Sequence, residues 1–178
     1  MPNFVRRYQV GVAELPSRDT ADSTDAELLK AVSADPRAAT AALAERVGLS
    51  RNTVQARLAR WGTVGALSTF ERTVTPQFLG YPLRAFVFTN VKQRLLTEVA
   101  EALAEVPEVI EVHGLSGVTD LLIQVVARDA DDLYRVAGHI LSIKGVKRTN
   151  TALVMRDLVD FRLTPLIDRI RDSAANRH

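Results

Sequence analysis

The stretch "TAALAERVGLSRNTVQARLARWG" (residues 40–62) holds two short helical patterns with only "GLS" between them. In the first, Leu43, Ala44 and Val47 recur on one face, Thr40 is the expected N-cap, and Gly48 stands where a helix end favours a left-handed residue. In the second, Ser50 is the expected N-cap, and Val54, Leu58 and Trp61 follow at i, i+4 and i+7. Two short helices joined through a Gly-containing turn of three residues predict a helix-turn-helix. Upstream, Thr24 is the expected cap of a third helix carrying Leu28, Leu29 and Val32, and Pro36 prevents that helix from continuing.

The charge around the second pattern is one-sided. Residues 46–70 contain four arginines and no acid. The whole chain has a net charge of only +2, and without cysteine it has neither disulfides nor cysteine-bound zinc. The imbalance is therefore local: residues 24–74 hold seven Lys/Arg against five Asp/Glu, whereas residues 83–155 hold eight against nine. Ordinary surface helices mix both signs, so a helix with this composition points to nucleic acid. A recognition helix enters the major groove by its N-terminal end, where Arg reaches guanine and Asn or Gln reaches adenine. Arg51, Asn52, Thr53 and Gln55 are the expected groove residues, with Arg57 and Arg60 reaching phosphate and positioning the helix, and Ser50 at the cap completes the DNA-binding set. Trp61 is expected in the core.

After Gly65, "ALSTFERTV" reads as a small wing or a connector, and Thr75–Pro76 opens a short helical turn with proline at its first position. From Leu83 the pattern changes. "LRAFVFTNV" is a strand, followed by a helix near Leu95–Glu105 with Val99, Ala102, Leu103 and Val106 inward. "VIEVHGL" is a strand with Ile110 and Val112 on one face, and "DLLIQVVAR" is another. A helix near Ala130–Ser142 carries Leu133, Val136, Ala137, Ile140 and Leu141, and "VKRTNTALVM" closes the series as a fourth strand. Two β-α-β units of similar length predict a ferredoxin-like sandwich, an antiparallel sheet with both helices on one face. Phe86, Phe88, Leu122 and Val126 fall on the other face and predict a contact with a second copy, so the protein is expected to be at least a dimer.

The expected organisation is a leader (1–23), a winged-type helix-turn-helix (24–74), a connector (75–82), a ferredoxin-like assembly domain (83–158), and a tail with a helix (159–178) that could extend the assembly. The overall class is α+β. The leader fits a strand, a flexible arm or a start-site artefact.

No phosphate loop, nucleophile elbow or paired-carboxylate motif occurs, and His113, His139 and His178 lack metal-ligand spacing. The protein is thus read as a non-enzyme without cofactor or metal. No signal peptide or membrane span is apparent, which predicts a cytoplasmic protein without a membrane partner. The turn in "GLSGVTDLLIQV" (114–125) fits either a plain β-turn at Gly117 or a small-molecule pocket, with turn amides and Asp120 holding the two ends of an amino acid.

The colinear set "TDAELLKAVSADPRAATAALAERVGLSRNTVQARL", "VTPQFLGYPLRAFV", "SGVTDLLI" and "GVKRTNTALVM", spanning about residues 24–158, resembles the Lrp/AsnC (feast/famine) family of transcription regulators. The resemblance implies a helix-turn-helix that binds double-stranded DNA as a dimer. It also implies an assembly domain forming dimers and octamers, which binds an amino-acid effector. Effector contacts would fall at Ser116, Gly117, Val118, Thr119 and Asp120, with Thr149 and Thr151 on the facing strand. The chain departs from the family pattern at Val118 and Thr119, where members often carry an acid and an aromatic, and in its long leader. The expected function is a DNA-binding transcription regulator modulated by a small metabolite. The alternatives are an amino-acid-sensing subunit that does not bind DNA, or an architectural DNA-binding protein of low specificity.

Overall fold

Helix α1 (Ser23–Ala34) starts one residue before Thr24 and is capped by Asp22, whose carboxylate accepts from Asp25 N at 2.7 Å. Asp25 returns the bond to Asp22 N at 3.1 Å, forming a reciprocal capping box that the expected Thr24 cap did not anticipate. These assignments come from a computed structural model, which describes residues 20–68 and 70–175; residues 1–19, most of the expected leader, lie outside the described residues.

Helix α2 (Thr40–Val47) has Ala39 at its N-cap and no side-chain cap, so Thr40 is the first helical residue instead of the cap. It ends at Gly48 in the left-handed region, φ 66°, and Leu49 N donates back to Ala44 O at 2.9 Å. Helix α3 (Arg51–Thr63) follows directly, with Ser50 Oγ accepting from Thr53 N at 3.1 Å. Leu28, Ala31, Leu43, Ala44, Val54 and Trp61 form the buried core of these helices. Leu58 packs on its edge.

The segment after α3 forms no wing among the described residues. A 3-10 turn over Phe70–Thr73 leads to a second at Pro76–Leu79, which has proline in its first turn and Gly80 at φ 86°. This segment is therefore a connector.

The expected tail helix is present as α6 (Thr164–Ala175), which packs against α1, with Lys30 Nζ 2.8 Å from Asp168 Oδ1 and Arg171 Nε 3.8 Å from Glu27 Oε1. Residues 159–175 thus belong to the same compact unit as the three N-terminal helices.

The second unit covers residues 70–158. Strands β1 (Leu83–Val91), β2 (Val109–Gly114), β3 (Leu121–Ala127) and β4 (Val146–Leu153) form one antiparallel sheet in the order β2-β3-β1-β4. Helices α4 (Leu96–Ala104) and α5 (Ala130–Ser142) supply the crossovers of a ferredoxin-like sandwich. Ala85, Val87, Val91, Leu121, Ile123 and Val125 pack with Val99, Leu103, Val136 and Ile140 in the core.

Two expected inward residues lie elsewhere. A register shift between Val109 and Glu111 turns Ile110 outward, 44% exposed, and brings Val109 against the core in its place. Leu141 is 49% exposed, because Val136 and Ile140 already fill the helix-sheet contact. Gly145, φ 108°, tolerates no side chain: a Cβ there would stand 2.9 Å from Val99 Cγ2.

On the opposite face of the sheet, Phe88 is 36% exposed, Phe86 and Leu122 are half-buried, and Val126 is buried.

Candidate nucleic-acid interface and effector turn

The first turn of α3 is open to solvent. Arg51, Asn52, Thr53 and Gln55 are all exposed, while Val54, one residue away in sequence, is fully buried. The cap spends part of this surface: Ser50 Oγ and Thr53 Oγ1 lie 2.8 Å apart, so the Thr53 hydroxyl is engaged with the helix start. The side chains of Arg51, Asn52 and Gln55 project beyond it.

Further along the same helix the arginines are not free. Arg57 Nη1 lies 2.8 Å from Asp25 Oδ1 and 2.9 Å from both Asp22 carboxylate oxygens. Arg60 Nη2 lies 2.5 Å from Asp25 Oδ2, and Trp61 Nε1 donates to Asp25 Oδ1 at 3.1 Å. Asp25 itself is completely buried. Burial alone would push its carboxyl up, but hydrogen bonds from Arg57, the Asp22 backbone and Trp61 outweigh that and hold it below its ordinary value of 3.8. Arg57 and Arg60, expected to reach phosphate and position the helix, tie α3 to α1 through these carboxylates.

Sequence reasoning missed Asp25 because the acid-free window was read along the chain. A signal was available. Asp25 stands three and four residues before Leu28 and Leu29, on the apolar stripe of α1, where a carboxylate has to find partners. A buried tryptophan likewise needs an acceptor for its indole N–H.

The second site is the turn between β2 and β3. Ser116, Gly117 and Val118 are exposed, Val118 by 96%, and Gly117 takes φ 134°, a conformation suited to glycine. Thr119 and Asp120 are half-buried.

Asp120 is engaged within the fold through both carboxylate oxygens. Its carboxylate accepts from Val91 N at 2.8 Å and Gln93 Nε2 at 2.7 Å, and its own N–H donates to Thr89 O at 3.2 Å. Asn90 Nδ2 donates to Val118 O at 2.7 Å, which fixes the turn to the end of β1. Thr149 sits in register with Thr89, which in turn pairs with Leu121, so it shares a row with the end of the turn. Two strand spacings, about 10 Å, separate Thr149 from β3. Thr151 pairs with Val87, one side-chain repeat further from the turn. The structure thus gathers residues 116–120 with Asn90 and Gln93, which sequence reasoning left out, and keeps Thr149 and Thr151 at a distance.

Comparison with known proteins fits both units. An AsnC-type helix-turn-helix domain model matches residues 22–60, and a Lrp/AsnC ligand binding domain model matches residues 84–164. The proline dehydrogenase transcriptional activator of Rhizobium radiobacter is 33% identical over 144 residues, covering 79% of this chain and 92% of the relative. The HTH-type transcriptional regulator FL11 of Pyrococcus horikoshii is 29% identical over 135 residues, covering 76% and 89% of the two chains. Among solved structures, E. coli AsnC superposes with a TM-score of 0.73 at 26% identity, covering 82% of this chain and 99% of that one. A transcriptional regulator from Neisseria meningitidis, solved as a complex with L-Met, gives 0.69 at 25% identity, covering 79% and 94%.

Proposed function

The chain belongs to the Lrp/AsnC family of transcription regulators, and on that premise we propose that the first turn of α3 reads base edges while the rest of the helix is held for it by Asp25. In this reading Arg51, Asn52 and Gln55 enter the major groove, where Arg pairs with guanine O6 and N7 and the amides with adenine. Ser50 and Thr53 fix the helix start. Arg57 and Arg60 position the helix and add positive potential toward the phosphates. The observation that carries this reading is the contrast in partners along one helix: its N-terminal polar groups face solvent and its later guanidiniums are bound to buried Asp25.

Amino-acid control is proposed at the 116–120 turn. The Neisseria meningitidis regulator was solved as a complex with L-Met, and so was a feast or famine regulatory protein from M. tuberculosis, which has 25% identity and a TM-score of 0.70. In this chain the exposed amides of Ser116, Gly117 and Val118, with Thr119 beside them, form the effector contact, and Asp120 shapes the turn by holding Val91 and Gln93. Thr149 and Thr151, on β4 beyond β1, remain the more remote candidates for this contact. The sheet face with Phe86, Phe88 and Leu122 supports a homodimer, and octamers follow from the family pattern. An effector that prefers one assembly shifts DNA affinity by its differential affinity for the two states.

The test is titration of the full chain into labelled duplex from upstream of its own gene, at several salt concentrations and with each of the twenty amino acids. The expected outcome is affinity that falls steeply with salt and shifts with at least one amino acid. Absence of salt-sensitive binding would favour an amino-acid-sensing subunit acting on proteins, whereas broad, phased footprints would favour an architectural role.

A further inference from the structure

The helical unit carries a cavity of about 470 Å³, open to solvent on one side, between α1, the C-terminal end of α3 and the segment leading into α6. Its volume falls in the range of small-molecule sites, about 300–1,000 Å³. Leu29, Trp61, Val64 and Phe161 supply apolar walls, and Arg60 and Arg162 are its charged residues; no Asp or Glu lines it among the described residues.

The Arg60 guanidinium is only partly satisfied. Its Nη2 is held by Asp25, whereas its Nε is buried without a hydrogen-bond partner. A guanidinium presents five donors and the Arg60 side chain is partly exposed, so Arg60 can keep Asp25 through Nη2 and still donate from its other Nη hydrogens to another oxyanion. Two cations on a mostly apolar wall, with the hydroxyls of Ser33 and Thr164 beside them, favour an anion with an apolar body. A zwitterionic amino acid finds no carboxylate here for its ammonium, which separates this cavity from the effector turn in the other unit.

We propose that this cavity binds a small carboxylate with an apolar body and no ammonium group. Trp61 is the sole tryptophan of the chain and lines the cavity, so its emission reports occupancy directly in the full-length protein.

The probe is 3-phenylpropanoate, compared with L-phenylalanine and 3-phenylpropan-1-ol, which share its ring and chain. The expected result is a saturable change in Trp61 emission with Kd of about 1 mM or below for the carboxylate. The amino acid and the alcohol should bind about tenfold more weakly, or worse. Arg162→Gln should weaken the carboxylate by about tenfold without altering the alcohol, and Val64→Phe, which fills the space, should weaken every probe. The proposal is overturned if the carboxylate gives no saturable response, if phenylalanine or the alcohol matches it, or if neither variant changes its affinity.

Discussion

The two ends of α3 carry the same residue type with different fates. Arg51 at the first turn faces solvent, whereas Arg57 and Arg60, about two turns later, close onto a buried carboxylate from another helix. Composition cannot distinguish them. What separates them is angular position: Arg57 and Arg60 are three residues apart, on the side of α3 that faces the start of α1. The lesson is that a basic helix in a small domain divides its cations between the partner outside and the fold inside, and that the division is set by where a neighbouring helix begins.

The largest test of this division is Asp25→Ala, which leaves Arg57, Arg60 and the Trp61 indole without their shared acceptor. Removing one member of a buried ion network costs about 3–5 kcal/mol, so denaturant unfolding followed by Trp61 emission should shift strongly. A loss below about 1 kcal/mol would sink the central role given to Asp25.

The same carboxylate sets a pH dependence. Its folded-state pKa is depressed, so its contribution is fully present above the ordinary value of 3.8 and is lost as pH falls through the lower folded value. The stability gap between the natural chain and Asp25→Asn should therefore hold at neutral pH and close only under strongly acidic conditions. A gap that closes near pH 6, as a histidine would produce, contradicts the assignment.

At the other end of α3 the expected effect is on DNA alone. Arg51→Ala should cost about 1–3 kcal/mol on a specific site and relax one base position, with the unfolding midpoint unchanged. Equal losses on specific and random duplexes would place Arg51 on phosphate instead. Arg57→Ala sharpens the contrast, because it should lower stability and DNA affinity together.

A smaller effect is expected at the cap. Ser50→Ala removes the acceptor for Thr53 N and should cost about 1 kcal/mol of stability, with Ser50→Asp close to neutral. The smallest is expected at the half-exposed Lys30–Asp168 pair, where Lys30→Met should change stability by about 0.5 kcal/mol, an effect that weakens further in salt.

Much of the fold was legible because it rests on local rules. Gly48 and Ser50 mark the helix-turn-helix through backbone conformation and capping, and the β1 span Leu83–Val91 and the α5 span Ala130–Ser142 follow from periodicity. Ile110 was misplaced because a register shift inverts a strand's faces without leaving any mark in composition. Asp120 was expected to be a ligand group because its sequence neighbours are turn residues. Its partners, Val91 and Gln93, lie 29 and 27 positions away.

By itself the sequence determined the helix-turn-helix, the duplicated β-α-β pattern and the exposed polar turn at the start of α3, since each depends on spacing of a few residues along one chain. Tertiary structure alone decided that Asp25 claims Arg57 and Arg60, that α6 packs on α1, and that Asp120 binds Val91 and Gln93. Those outcomes depend on which distant groups the packing brings together, most sharply at Asp25, where a charge buried away from water has to be matched by whatever side chain or backbone group lies beside it.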